Sequence, residues 1–320
     1  YGYNEIPTTA FKNATQGGYS PVMMAESKAG QLCRSMGYSE IITYSFVSPT
    51  IFDNIRLPKN SSLRNAMRIQ NPLGEDTSIM RTIALPSMLD ILARNYAYHN
   101  KNVKLYELAK IYLPQEGEPL PAEPKMLLLG TYGANASFFS LKGELEAVMN
   151  GLRLPKASYT AVKDNRSFQP GRCAAVSING EVLGYMGQIH PLVAKNYGLD
   201  CEVYCVEIDF SKAFGMMLPE ATFTPLPKYP AVVRDLSLVC DEAMTIADLE
   251  NVITAAGGKL LRKITLFDIY RGKGIDEGKK SVAFSLELRA DDRTLTDTDS
   301  EGVVTKVLAA LESKLGAVLR

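Results

Sequence analysis

The sequence predicts an α+β protein of two domains, a large one built on a mostly antiparallel sheet and a smaller one with the element order βαββαβ. Its 320 residues exceed the usual size of a single domain. Strand-like and helix-like apolar patterns are interspersed along the chain, and short turns join neighbouring strands, which favours antiparallel pairing. A proline-rich segment, 216–230, divides the chain because proline continues neither a helix nor a central strand.

Residues 1–20 are rich in glycine, threonine and asparagine and lack apolar periodicity, so we predict a connector from a domain that lies upstream. The large domain is predicted over 21–217, where Pro21 begins the first helix and Gly37 ends it. The later elements are predicted in this order: strands over 41–47 and 67–70, a helix with Pro86 near its first position, strands over 103–111 and 126–132, a helix over 140–150, strands over 174–178 and 182–188, a short helix after Pro191, and a strand over 204–210.

The small domain is predicted over 223–320. Its elements are a strand over 232–240, a helix over 245–256, strands over 260–270 and 279–290, and a helix over 298–316. Thr298 and Glu301 have the spacing of a capping box, which we expect to begin the last helix.

The two faces of the small sheet follow from the alternation of side chains along a strand. Strand 279–290 directs four large apolar side chains to the core: Val282, Phe284, Leu286 and Leu288. In strand 260–270 the same alternation predicts Phe267 and Ile269 in the core, and Leu266, Asp268 and Tyr270 on the open face. Both helices are predicted to cover the core side only. Asp268, Tyr270 and Ser281 should therefore share an uncovered surface.

An exposed tyrosine beside a carboxylate suits an unpaired nucleobase. The ring offers a stacking surface, and the carboxylate accepts hydrogen bonds from the Watson–Crick edge of guanine. Between residues 259 and 280 there are seven basic residues and three acidic ones, which favours contact with a phosphate backbone. The candidate backbone contacts are Lys263, Arg271, Lys273, Lys279 and Lys280. For an isolated Asp-x-Tyr pattern, a solvated sheet face is the competing interpretation.

The composition argues against several other classes of function. Lysine plus arginine equals aspartate plus glutamate at 35 each, so no global field attracts nucleic acid or an anionic membrane. Five scattered cysteines are typical of a reducing compartment, and we expect a cytoplasmic protein without a secretory leader or membrane span. Cys201 and Cys205, four residues apart in a strand, would lie about 13 Å from each other, too far for one zinc ion. With two histidines, we predict neither a catalytic triad nor a metal site.

Several motifs carry a resemblance to a known family. KYPAVVRDL (228–236), LFDIYRG (266–272), GKKS (278–281) and RTLTD (293–297) together resemble the ferredoxin-fold anticodon-binding domain that ends the β subunit of bacterial phenylalanyl-tRNA synthetase. YGYNEIP (1–7), IQNPL (69–73), MRT (80–82) with LPSML (85–89), and GQIHP (187–191) are similar to the connector and catalytic-like core of that subunit. The resemblance covers essentially the whole chain.

The resemblance implies a class II synthetase-like domain, with a six- or seven-stranded antiparallel sheet and helices, followed by a ferredoxin-like domain. It also implies that Asp268 and Tyr270 meet the first anticodon base, a guanine in tRNA(Phe), with Ser281 nearby. The implied partners are tRNA(Phe) and a catalytic α subunit in an (αβ)2 heterotetramer, an enzyme that uses ATP and magnesium. The editing domain and the acidic residues that would bind magnesium lie upstream in the family, so we expect neither here.

The same resemblance implies that this chain is catalytically inactive alone. In the active α subunit, the strand that corresponds to 105–113 ends in an arginine that binds ATP phosphates. Leu113 takes that place here, with Lys110 upstream, and leucine cannot replace a planar guanidinium. No glycine-rich, arginine-bearing third motif follows. We therefore expect no catalytic residue and no cofactor in this fragment.

Two other classes of function stay open from the sequence. The βαββαβ order also occurs in amino-acid-sensing regulatory modules, which saturable binding of phenylalanine to residues 223–320 would support. The second alternative is an independent synthetase-like enzyme, which pyrophosphate exchange by the purified chain would support.

Overall fold

The computed structural model describes residues 2–10 and 17–320. The chain divides into a first unit that runs to Glu220 and a second unit, Ala221–Arg320. The connector predicted over 1–20 lies partly outside the described residues. In the described part of the chain, no helix is both long enough and apolar enough to cross a bilayer.

The first unit contains six α-helices and nine strands among its described residues. The helices are α1 (Pro21–Ser35), α2 (Ile51–Asn54), α3 (Leu85–Ala97), α4 (Phe138–Gly151), α5 (Pro191–Asn196) and α6 (Phe210–Gly215). The strands are β1 (Ser39–Glu40), β2 (Phe46–Val47), β3 (Ile79–Met80), β4 (Val103–Lys110), β5 (Lys125–Tyr132), β6 (Ser158–Ala161), β7 (Phe168–Ile178), β8 (Glu181–Ile189) and β9 (Val203–Asp209).

Seven of these strands form one sheet in the order β1-β4-β5-β9-β8-β7-β6. All neighbours are antiparallel except β1 and β4, which run parallel. Helices α1 and α4 pack on one face of the sheet and α3 on the other, so both faces are buried. In β5, Leu127 and Leu129 belong to the first core and Leu128 to the second, which explains the uninterrupted apolar run in that strand. The predicted architecture, a mainly antiparallel sheet of six or seven strands with helices, is confirmed.

The strand predicted over 41–47 is wrong, because β1 ends before it at Glu40 and only β2, its last two residues, is regular. The backbone between them pairs irregularly: Ile41 N–H donates to the Tyr106 carbonyl, and Arg81 N–H donates to the Ser45 carbonyl. The strand predicted over 67–70 is reduced to a single bridge between Arg68 and Ile79. Side-chain contacts from Arg81 and Glu107 hold segment 41–47, and an apolar pattern does not reveal such contacts. Segment 67–70 is held by backbone hydrogen bonds to 78–80.

The second unit consists of β10 (Val232–Asp241), α7 (Ile246–Gly257), β11 (Leu261–Tyr270), β12 (Lys279–Leu288), α8 (Asp297–Leu315) and β13 (Val318–Leu319). Its antiparallel sheet has the strand order β11-β12-β10-β13, which confirms the predicted βαββαβ arrangement. Helices α7 and α8 bury one sheet face through Leu249, Ile253, Val307 and Leu311. The opposite face carries no helix of this unit.

A β-bulge in β11 changes the predicted faces. Leu266 lies opposite Phe284, whereas Asp268 lies opposite Ala283, so Phe267 is an extra residue in the ladder. Leu266, predicted on the open face, packs against the core instead. Phe267, predicted in the core, is 57% exposed. The bulge shifts the alternation by one residue, and the two errors follow from that shift.

The last helix begins two residues earlier than the capping prediction required. Thr296 is the N-cap, and its side chain and the Asp299 carboxylate each accept a hydrogen bond from the other's backbone N–H. Arg293 donates two hydrogen bonds to Asp299, and these interactions hold the pKa of that carboxyl well below its usual range. The predicted box at Thr298 and Glu301 is therefore wrong.

Candidate nucleic-acid interface

The helix-free face of the second unit brings the three predicted base-contacting residues to neighbouring positions. Tyr270 in β11 pairs with Ser281 in β12, and Asp268 pairs with Ala283 one step along the same face. Asp268 is exposed, and no described residue forms a hydrogen bond or ion pair with its carboxylate. The tyrosine hydroxyl donates to the Lys273 carbonyl at 3.3 Å, which fixes the ring at the edge of the face.

This face is more covered than the sequence predicted. Ser281 is only 3% exposed, and its hydroxyl lies 3.2 Å from that of Ser237 in β10. The Arg320 guanidinium lies over the Tyr270 ring, 5.4 Å from the ring centroid. Tyr270 itself remains 38% exposed. The exposed parts of the predicted site are therefore Asp268 and one side of the tyrosine.

The loop between β11 and β12 depends on Gly272. Its φ of +152° is a conformation that side chains with a Cβ rarely adopt. A Cβ at this position would also lie 3.0 Å from the Tyr270 hydroxyl oxygen. Gly272 therefore permits both the turn and the position of the stacking ring.

The predicted phosphate contacts fall into three groups. Lys263 and Lys273 are exposed and have no ion-pair partner among the described residues. Arg271 pairs with Glu242 at 2.8 Å, and Lys279 pairs with Asp276 at 3.4 Å. Both of these pairs are partly exposed, so solvent screens them and a phosphate can compete for the cations.

Lys280 differs from the other four predicted phosphate contacts, which are exposed. Its residue is buried, and its Nζ donates to the Glu242 carbonyl at 2.9 Å and to the Met244 carbonyl at 2.6 Å. These contacts tie the beginning of β12 to the turn between β10 and α7. Lys280 therefore holds the fold together, and we leave it out of the proposed phosphate contacts.

A cavity of about 330 Å³ lies in the first unit beside the sheet face that packs on α3. Its lining is mostly apolar and includes Leu113, the residue in the place of the expected phosphate-binding arginine. Glu207 also lines it, accepting from the Ala84 N–H at 2.9 Å and the Leu85 N–H at 3.2 Å at the beginning of α3. Burial raises the pKa of Glu207 to about 7. Lys212 is the one cation among the described residues of the lining, and it pairs with Glu181 at 3.0 Å. Apolar walls and a buried acid do not fit the phosphates of ATP.

The irregular segment 41–47 exposes a row of apolar side chains. Ile42 and Tyr44 are 92% and 82% exposed, and Phe46 is also exposed. The residues between them face inward, where Thr43 donates through its N–H and its hydroxyl to Glu107. An apolar row held outward on an ordered segment is typical of a protein-binding surface.

A buried ion pair holds this segment in place. Arg81 is 2% exposed and its guanidinium lies 3.4 Å from the Glu107 carboxylate. It also donates to the Thr43 hydroxyl at 2.6 Å and to the Lys110 carbonyl at 2.8 Å. Both charged groups in this network, the Arg81 guanidinium and the Glu107 carboxylate, have hydrogen-bond and ion-pair partners, as buried charges require.

Sequence reasoning missed three residues that shape these surfaces. The MRT motif includes Arg81, but only the fold shows that Glu107 is its partner. Phe267 was assigned to the core because a bulge has no clear sequence signal. Arg320 lies far from Tyr270 in sequence, and only the pairing of β13 with β10 brings it to the face. Among the described residues, no group of three or more His, Cys, Asp or Glu is placed to hold a metal ion.

Comparisons with known proteins divide the chain into two parts that correspond to the first and second units. Residues 6–210 match the family described as phenylalanyl tRNA synthetase beta chain CLM domain, and residues 227–320 match the ferredoxin-fold anticodon binding domain. Solved structures of pyrrolysyl-tRNA synthetase from Desulfitobacterium hafniense share the fold, with a TM-score of 0.50 over 60% of this chain and 67% of theirs. Their sequence identity of 11% limits that likeness to the fold.

Curated relatives cover the whole chain. Proteins named phenylalanine–tRNA ligase beta subunit from Clostridium acetobutylicum and Clostridium tetani are each 42% identical over 322 residues. The subunit from Bacillus subtilis is 34% identical over 332 residues. The chain spans 40% or 41% of the length of these relatives. Since one family matches most of the chain, this chain belongs to the family of phenylalanyl-tRNA synthetase β chains.

Proposed function

We propose that the second unit binds the anticodon region of tRNA(Phe), and that the first unit assembles with the catalytic α subunit of phenylalanine–tRNA ligase. The observation that carries the RNA part is the pairing of Tyr270 with Ser281, beside the exposed Asp268, on a face without helices. The surface combines an aromatic ring, a carboxylate that has no partner in the described part of the chain, and nearby cations. This combination suits a single unpaired base followed by its phosphates.

The chemistry of the face favours guanine. The Watson–Crick edge of guanine presents donors, and an ionised carboxylate such as Asp268 only accepts hydrogen bonds. Tyr270 supplies a stacking surface that tolerates any base. Lys263 and Lys273 lie on the same strand and the following loop, where they are free to contact phosphates. Specificity is therefore assigned to Asp268 and affinity to the ring and the cations.

The apolar row of the first unit supports the assembly part of the proposal. Ile42, Tyr44 and Phe46 project from a segment that the Arg81–Glu107 pair holds in place, so the surface is preorganised. Covering it removes apolar area from water, which is the main favourable term in association. The proposed complex is an (αβ)2 heterotetramer in the cytoplasm.

The proposed enzyme joins phenylalanine to tRNA with ATP and magnesium, and this chain contributes no catalytic residue to the reaction. The cavity beside α3 supports that division of roles, because Leu113 and Glu207 offer nothing to a triphosphate. ATP and magnesium are assigned to the complete α/β enzyme. Pyrophosphate exchange by the purified chain alone would contradict this assignment.

The RNA proposal is tested by filter binding of the reconstituted α/β assembly to tRNA(Phe) and to tRNAs with a substituted first anticodon base. Tyr270→Ala and Asp268→Ala should each weaken binding by about 1 to 3 kcal/mol. Asp268→Ala should also reduce the preference for guanine. Lys306→Ala, an exposed change on α8, is the matched control and should bind normally. Wild-type affinity in both site variants would refute the placement of the site.

The assembly proposal is tested by substituting the apolar row. Tyr44→Asp should abolish co-purification with the α subunit while thermal unfolding stays near that of the wild type, because the side chain is exposed. Leu120→Asp, at an apolar loop position that is 74% exposed, is the control. Equal loss of α binding in both variants would contradict a role for the segment 41–47.

The amino-acid-sensing alternative has a direct test. Calorimetry of the whole chain with phenylalanine, in the absence of RNA, should show no saturable binding. Saturable binding that Tyr270→Ala removes would favour the regulatory function over the RNA-binding one.

A further inference from the structure

Arg320 lies within the proposed RNA-binding face. Its backbone N–H donates to the Ser237 carbonyl at 2.9 Å, which extends the pairing of β13 with β10 by one residue. The register of the strands directs its side chain to the helix-free face, because Leu319 before it lies opposite the core residue Leu238. The backbone therefore fixes the position from which the Arg320 side chain extends.

The Arg320 side chain then crosses most of the sheet. Three strand spacings separate β13 from β11, about 14 Å. The guanidinium carbon nevertheless lies 5.4 Å from the Tyr270 ring centroid, so the two side chains meet above β10 and β12. Ser281 lies on β12 between these strands, with Tyr270 opposite it in β11 and Val239 opposite it in β10, and it is only 3% exposed. A base would therefore reach Ser281 only after the side chains around it move apart.

We infer that an unpaired base inserts between the Tyr270 ring and the Arg320 guanidinium, so that Arg320 is a further RNA-contacting residue of this site. The inference rests on the proposed anticodon-binding function and adds a residue and a geometry to it. Both aromatic rings and guanidinium planes stack on bases. Stacked layers lie about 3.4 Å apart, so a sandwiched base needs the two groups about 7 Å apart. The present 5.4 Å requires only a small outward movement of a flexible side chain.

The sandwich also explains how Ser281 becomes available. As the guanidinium moves outward, the space above β12 opens toward the Watson–Crick edge of the base that Asp268 meets on the other side. The separation of Arg320 from Tyr270 and the insertion of the base then occur together. In the free chain the cation covers the ring, and in the complex the base separates them.

The first experiment needs no RNA. Ser281→Cys places a thiol beneath the pair, and its reaction with Ellman's reagent is measured against the parent chain, whose five cysteines provide the background. The thiol should react slowly alone and several-fold faster when Arg320→Ala is added. Lys306→Ala in place of Arg320→Ala should leave the rate unchanged. Equal rates with and without Arg320 would overturn the covering role.

The second experiment is a double-mutant cycle between protein and RNA in the α/β assembly. Arg320→Ala should weaken binding of tRNA(Phe) about tenfold, the effect of one stacking or cation–π contact. The same change should have no effect on a tRNA that is abasic at the first anticodon position. Arg320→Lys keeps the charge but loses the planar group, so it should bind nearly as weakly as Arg320→Ala.

Three results would overturn the inference. Tighter binding by Arg320→Ala would mean that the arginine only obstructs the site. A phosphate contact would be indicated by two results together. Arg320→Lys would bind tRNA as tightly as the wild type, and Arg320→Ala would lower the slope of log affinity against log salt concentration by about one. Equal loss on intact and abasic RNA would place the contact elsewhere. If neither Tyr270→Ala nor Arg320→Ala weakens tRNA binding, the proposed function itself fails. If Tyr270→Ala weakens binding and Arg320→Ala does not, only the sandwich fails.

Discussion

Removing the buried guanidinium of Arg81 tests how the partner-binding segment is held. Arg81→Met keeps the length of the side chain and removes its charge. The side chains of Arg81 and Glu107 are 3% and 4% exposed, so the remaining carboxylate has little access to water. Removing one partner of a buried pair costs about 3 to 5 kcal/mol. Loss of the donors to Thr43 and Lys110 acts in the same direction, and we expect about 4 kcal/mol in total.

Urea unfolding followed by far-UV circular dichroism measures this loss, and the transition of the second unit serves as an internal reference. In thermal unfolding, the same change should lower the Tm of the first unit by roughly 6 to 20 °C. Arg81→Met combined with Glu107→Leu should be more stable than Arg81→Met alone, because the double variant leaves no unpaired buried charge. A single-variant loss below about 1 kcal/mol, or no recovery in the double variant, would refute this account of the pair.

Three further predictions concern other buried or constrained groups. Burial raises the pKa of Glu207 from 4.5 to about 7, so the stability that this group contributes at low pH should be lost as the pH rises toward 7. Glu207→Gln should flatten that part of a pH series of urea unfolding, and an unchanged slope would contradict the shift. Lys280→Met should destabilise the second unit by roughly 2 to 3 kcal/mol by leaving two carbonyls without a donor; Lys273→Met, the exposed control, should leave thermal unfolding unchanged. Gly272→Ala should lower the Tm of the second unit and weaken RNA binding together, because its Cβ meets Tyr270; normal binding would show that the ring tolerates the shift.

Much of the fold follows from local sequence patterns. Period-two alternation in β12 identified the core face, and Pro21 and Gly37 marked the two ends of α1. These signals work because burial of apolar side chains and backbone restrictions act within one element. Motif resemblance, a different kind of information, then supplied the family and the three candidate base contacts.

Local patterns fail where one element depends on another. The bulge at Phe267 is set by pairing with β12, so alternation alone assigned Leu266 and Phe267 to the wrong faces. The segment 41–47 has strand-like composition, but side-chain contacts from Arg81 and Glu107 hold it instead of a ladder.

The sequence by itself determined the two-unit α+β architecture, the strand faces within regular ladders and the candidate trio Asp268, Tyr270 and Ser281. Only the tertiary structure decided which members of that trio are accessible. Ser281 is buried beside Ser237 and Val239 of β10. Tyr270 is paired with Arg320, because β13 adds a strand at the far edge of the sheet and the next side chain reaches back across the face. Exposure depends on every element packed nearby, and no spacing along one strand records it.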